Sequence, residues 1–273
     1  MFQVSRRNTQ ARSALFTFEL IYHSVVRNVR KSHRNAVAGL LLNILQTIIF
    51  VAIFYVMFTV LGMRQSALRG DFMLYLMSGI FLFLVHTKTV SAVASAEGPT
   101  SPMMQHAPLN TFVTLCAAAL GSLYLQLLSL FVVLFGYHVL FTPIVIDDPV
   151  GAMGMLLLAW FTGVGVGVII MAIKPWAPNF ANIATTIYSR ANMVASGKMF
   201  VANTLPGYML AMFDWNPLFH AIDQCRGFVF INYNPHFSSI SYPLFVGIAL
   251  IMIGLLGEYY TRRHASISWG AAR

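Results

Sequence analysis

Residues 36–61 read AVAGLLLNILQTIIFVAIFYVMFTVL, with no charged side chain anywhere in the run. About 20 apolar residues are what an α-helix needs to cross a ~30 Å hydrocarbon core. The rest of the chain has the same character: 58% of residues are hydrophobic and only 9% are charged. Ordinary soluble domains carry roughly 25% charged residues, so a water-facing shell cannot be built from this composition. Soluble enzymes and nucleic-acid-binding proteins are excluded on that ground, despite a net charge of +9.

The basic surplus is uneven. Arg6, Arg7, Arg12, Arg27, Arg30, Lys31 and Arg34 all precede the first long run, and Arg262, Arg263 and Arg273 follow the last. Lys and Arg collect on the cytoplasmic side of membrane proteins, so both termini are expected in the cytoplasm. The polar first ten residues have no signal-peptide core, and the first span is expected to act as its own uncleaved insertion signal. Within residues 12–33, Leu15, Phe18, Tyr22, Val25, Val26 and Val29 recur at helical steps, with cations mostly between them. This predicts an amphipathic helix lying in the interface.

Four further runs predict spans at residues 72–94, 111–141, 150–173 and 242–260. A weaker run, 178–202, is broken by Asn182, Arg190, Asn192 and Lys198. Two cytoplasmic termini require an even number of crossings, so it is read as the fifth of six spans. The expected architecture is an all-α polytopic membrane protein. A cytoplasmic tail and interfacial helix (1–35) lead into one transmembrane domain (36–273). Residues 203–241 then lie outside, and their two short apolar stretches, 205–213 and 218–231, read as a re-entrant hairpin. Asp214 or Asn216 with Pro217 supplies a helix start. A hydrophobic hairpin at the outer mouth reads as a gate, formed by Trp215, Asn216, Pro217, His220, Asp223 and Arg226.

Chemistry-bearing motifs are scarce. No G-x-x-x-x-G-K-[ST] phosphate loop and no H-E-x-x-H occur, so no catalytic residue and no metal ligand are assigned. Cys116 and Cys225 fit neither metal nor disulfide spacing. Gly163-Val-Gly165-Val-Gly167 lies inside an apolar run with no strand before it, which leaves close helix packing as its use. Val194-Ala195-Ser196-Gly197 approaches the G-x-S-G of rhomboid intramembrane proteases. It lacks the first glycine, and the last span has no histidine to serve as base. Small-residue packing is the expected role, with such a protease kept as the alternative from a different class.

Two charged groups remain open. Arg190 and Lys198 stand about 12 Å apart along an ideal helix and ~80° apart around it. Either they share a polar, water-lined path with Phe180, Tyr188 and Phe200, or Arg190 is paired internally and Lys198 snorkels to the outer interface. An unpaired cation in a wet path attracts an anionic polymer or a lipid phosphate. His220, Asp223 and Arg226 follow at three-residue steps, either with an Asp223–Arg226 ion pair or as a gating or partner-docking surface.

The order of these parts resembles the ABC-2 type permeases, and among them the capsular polysaccharide and O-antigen exporters. The stretch from Asp214-Trp215-Asn216-Pro217 through His220, Asp223 and Arg226 is similar to the family's W-N-P-x-x-H-x-x-[E/D]-x-x-R. Residues 54–62, and the inward loop ending Ala107-Pro108-Leu109-Asn110, fit the same pattern. The resemblance implies a non-catalytic permease of the bacterial inner membrane, paired with a second copy of itself. It also implies two ABC ATPase subunits that hold the ATP and Mg, with Glu97, Gln105, His106 and Pro108 as candidate contacts. Periplasmic and outer-membrane export proteins would be further partners. The cargo would be a glycan, often lipid-linked; a drug or small lipid is the nearest alternative.

Overall fold

The computed structural model describes residues 10–31, 36–62, 70–96 and 111–264. They form α1 (Gln10–Lys31), α2 (Ala36–Val60), α3 (Phe72–Ala94), α4 (Thr111–Leu140) and α5 (Pro149–Ile173). After these come α6 (Pro178–Ala195), a 3-10 turn (Ala202–Thr204), α7 (Gly207–Phe213), α8 (Pro217–Val229) and α9 (Ser241–His264). The described residues contain no strand, and the expected all-α polytopic architecture holds.

Five helices, α2, α3, α4, α5 and α9, are long and apolar enough to cross a membrane. The expected span at 178–202 is shorter than read. Its helix ends at Ala195, after 18 residues, and is not one of those five. The stop has a local cause: Gly197 adopts φ +75°, a left-handed conformation that glycine takes without steric cost. A Cβ there would lie 2.7 Å from the Phe219 ring.

Helix ends are fixed by acid caps. The Asp71 carboxylate accepts from Met73 N at 2.8 Å at the start of α3. Its other oxygen accepts from Tyr137 at 2.6 Å and Thr142 at 3.0 Å, tying the end of α4 to the same point. Asp148 caps α5 through Val150 N and Gly151 N, both at 3.0 Å. Each cap satisfies orphan amides and complements the helix dipole.

The core is built on α3, which contacts α2, α4, α5, α6 and α8. The glycine triplet of α5 makes the approaches close. A Cβ on Gly163 would meet His86 O at 2.8 Å, and one on Gly167 would meet Val93 Cβ at 2.7 Å, both on α3. On Gly165 it would meet Leu250 Cβ of α9 at 2.8 Å. The triplet therefore packs one helix against two neighbours. The α4–α5 connection bonds to the end of α8 through Asp148 N to Phe228 O at 2.8 Å. The hairpin thus sits at the end of the bundle where α3 and α5 begin.

Candidate functional site

The site forms where the loop after α6 is held between α3 and α8. Past Gly197 the chain turns inward, and the Lys198 side chain enters a box of phenyl rings. Its Nζ lies 3.5 Å from the Phe83 ring centroid, 4.7 Å from Phe54 and 5.0 Å from Phe50. Phe50 and Phe83 are themselves stacked, with centroids 5.9 Å apart. Lys198 is 1% exposed, and its ammonium has no hydrogen-bond partner. Cation–π contacts recover about 2 kcal/mol or more when desolvated. Removing an ammonium from water costs several kcal/mol. Ring contact alone therefore does not hold the lysine there.

Arg226 supplies the restraint. Its guanidinium donates to the carbonyls of Gly197 (2.9 Å), Phe200 (2.6 Å) and Lys198 (2.8 Å). It also lies 4.4 Å from the Tyr75 ring centroid and is 1% exposed. Hydrogen bonds to charged groups contribute about 1.5–3 kcal/mol each. The clamp therefore offsets the strain of the boxed ammonium. Gly79 of α3 makes the room, since a Cβ there would stand 2.9 Å from Lys198 Cα. Asn216 adds a second hold, donating to Asn192 Oδ1 at 2.9 Å and Ala195 O at 3.0 Å. Its own oxygen caps α8 at Leu218 N, which settles the choice between Asp214 and Asn216.

Other side chains of α8 grip the loop that follows it. His220 Nε2 donates to Asp214 O at 2.6 Å, and Nδ1 accepts from Ser239 N at 3.1 Å. That pattern assigns the neutral Nε2–H tautomer. Asp223 accepts from the Tyr233 hydroxyl and from Ser238 Oγ. Burial and the adjacent Asp223 carboxylate push the Tyr233 phenol upward, so it remains a donor. Gln224 donates to Ser238 O at 2.8 Å. Trp215 stays exposed at the turn between α7 and α8.

Several expected relations are not formed. Asp223 and Arg226 make no ion pair: the carboxylate is held by Tyr233 and Ser238, the guanidinium by the carbonyls of Gly197, Lys198 and Phe200. Lys198 does not snorkel. Arg190 and Lys198 do not share a helix face, since the helix stops before Lys198; Arg190 is exposed and Lys198 buried. Phe180 is exposed near the start of α6, whereas Tyr188 donates to His86 Nε2 at 2.8 Å. Phe200 packs against Phe213 and Phe219. Ser196 is buried with an unpartnered hydroxyl, and both His220 nitrogens are taken elsewhere. No nucleophile–base pair forms at Ser196. Glu97, Gln105, His106 and Pro108 lie outside the described residues.

Sequence reading gave no site role to Phe50, Phe54, Phe83, Tyr75 or Gly79. The Phe50–Phe54 spacing of four residues, on one helix face, was the available signal.

Apolar helices of spanning length, joined by polar groups buried between them, define a multi-pass helical membrane protein. The ABC-2 type transporter family model matches residues 19–230, well over half of the chain, and the chain belongs to that family. It is the membrane component of an ABC-type transporter. Such permease domains are generally non-catalytic and typically pair with ABC ATPase subunits. No curated protein matches the chain.

Proposed function

We propose that the chain is the permease subunit of an ATP-driven exporter that moves an anionic polysaccharide, capsular or O-antigen-like and often lipid-linked, across the bacterial inner membrane. Two copies and two ATPase subunits form the transporter, both termini are cytoplasmic, and α7–α8 lies on the outer side. Periplasmic and outer-membrane export proteins receive the cargo. ATP and Mg belong to the ATPase subunits, and this chain carries no catalytic group.

The observation that carries the reading is on α6. Asn182, Thr186 and Arg190 recur at four-residue steps and are all exposed, while Ala181 and Asn192 are buried. A polar stripe with a cation is costly against lipid and belongs against protein or water. Facing a second copy, it makes one wall of a wet path. Phe180, at the same helix's entrance, offers an apolar face to sugar rings. The exposed guanidinium supplies the preference for negative charge.

The test is an export assay at matched protein levels. Deletion of the gene is expected to accumulate glycan in the cytoplasm, Arg190→Gln to lower surface glycan, and Arg190→Lys to restore part of it. Normal surface glycan in Arg190→Gln overturns the role of the stripe. A deletion strain with normal glycan but raised drug sensitivity, or altered lipid, points to the nearest alternative, export of a drug or small lipid.

A further inference from the structure

A cleft of about 340 Å³ opens where α1, α2, α3 and α4 meet. Its polar lining among the described residues is Asn28, Asn43, Gln46, Lys88, Ser122 and Gln126, none of them acidic. All of these except Asn28 lie within helices otherwise apolar enough to span, so the cleft is a polar pocket at membrane level. Neighbouring bonds organise its wall. Asn43 donates to Ser129 at 2.7 Å, Gln126 to Asn43 at 3.2 Å, and Lys88 to Gln46 Oε1 at 2.7 Å.

Lys88 is the cation of this lining. Its described hydrogen bond goes to a neutral amide, and no carboxylate pairs with it among the described residues. An ammonium has three N–H donors, so two remain for an occupant. Among the described residues the cleft therefore presents a positive charge without a counter-ion.

Its depth and mouth define that occupant. Lys88 stands six residues before the end of α3 at Ala94, about 9 Å along the helix axis. That matches the ~5–10 Å level at which interfacial helices settle between headgroups and acyl chains. The amphipathic α1, with Phe18 and Tyr22 exposed, closes the cleft with Asn28 and Val29. At the other edge Leu42 lines the cleft while remaining 50% exposed. It adjoins the exposed Leu41 and Leu45 on the outer face of α2. An occupant therefore needs an anionic head inside and apolar chains outside.

We propose that this cleft binds the phosphate headgroup of an anionic phospholipid of the surrounding bilayer, seated on Lys88 with its acyl chains along Leu41 and Leu45. The site is separate from the proposed cargo path and does not depend on what is exported.

The test uses the full chain in nanodiscs of phosphatidylcholine doped with phosphatidylglycerol, with retained lipid counted by native mass spectrometry. One phosphatidylglycerol per chain is expected to survive release. Lys88→Gln should weaken its retention about tenfold, the loss of one charge-assisted contact, and Lys88→Arg should preserve it. Gly121→Leu provides a variant without charge change. A Cβ there meets Asn28 only at ordinary contact distance, 3.7 Å, while the longer side chain fills the cleft, so retention should again fall. If Lys88→Gln does not accumulate, Gly121→Leu alone decides the matter. Equal retention of the two lipids, or wild-type retention in both Lys88→Gln and Gly121→Leu, overturns the proposal. Displacement of phosphatidylglycerol by millimolar inorganic phosphate also overturns it, in favour of a free-anion site.

Discussion

α2 and α3 are neighbours of similar length with opposite fates. α2 has a mean hydropathy of 2.4 across its most apolar stretch, and only 17% of that stretch is buried. α3 is less apolar, at 1.5, yet 83% of the corresponding stretch is buried. In water the ranking would be reversed. In a bilayer the lipid is as apolar as leucine, so apolarity does not drive helices together; small residues and interhelical hydrogen bonds do. α3 has both, in Ser78, Gly79, His86, Thr87 and Thr89, all buried. α2 makes its main polar ties to other helices through Asn43 and Gln46.

The largest expected effect is at the clamp on the α3 side. Arg226→Met strands three carbonyls and releases the boxed lysine. At about 1–3 kcal/mol per buried unsatisfied group, the loss is on the order of 3 kcal/mol or more. The purified protein should melt far earlier or fail to accumulate; unchanged melting would show that the loop holds without its clamp. Next comes His86→Leu, which removes the ties to Ala159 O at 2.9 Å and to Tyr188. A loss of about 1–3 kcal/mol is expected by thermal melting in detergent, and Tyr188→Phe should reproduce part of it.

A smaller change of opposite sign is expected at Lys198→Met. Well-packed apolar replacements of buried charges are often stabilising, by about 1–4 kcal/mol, and a value near the low end is expected here. Export should fall even as the melting temperature rises. A drop in both would make Lys198 a stabilising element rather than a strained one. The smallest effect belongs to α2. Ile53 is exposed, and Ile53→Ala should change stability by no more than about 0.5 kcal/mol. A loss as large as that of His86→Leu would mean that protein, not lipid, covers this face.

Span positions were legible because uncharged runs end abruptly at polar turns. The reading of 72–94 agrees with α3, and the α2, α4 and α5 readings differ from the structure by a residue at one end. The start of α8 was legible too, since the Asn216 cap and Pro217 act on the adjacent turn. The stop of α6 was not. Gly197 hinted at it, but Arg226, which holds the turned loop, stands 28 residues from Lys198. Periodicity carried the expected helix on through Lys198 and so left open a face shared with Arg190. The lipid-side cleft was hidden for a related reason. Asn43, Gln46, Lys88 and Gln126 stand in three separate runs, and only packing brings them together.

The Arg226 clamp also determines what kind of signal can open it. Its three partners are uncharged backbone carbonyls, and its burial keeps mobile ions from screening the contact. A change of ionic strength has little handle on this joint. Force transmitted along α3 or α8, shifting Tyr75 and Gly79 relative to the loop, does. The latch suits a machine driven by mechanical work from an attached motor rather than by the salt of the surrounding solution.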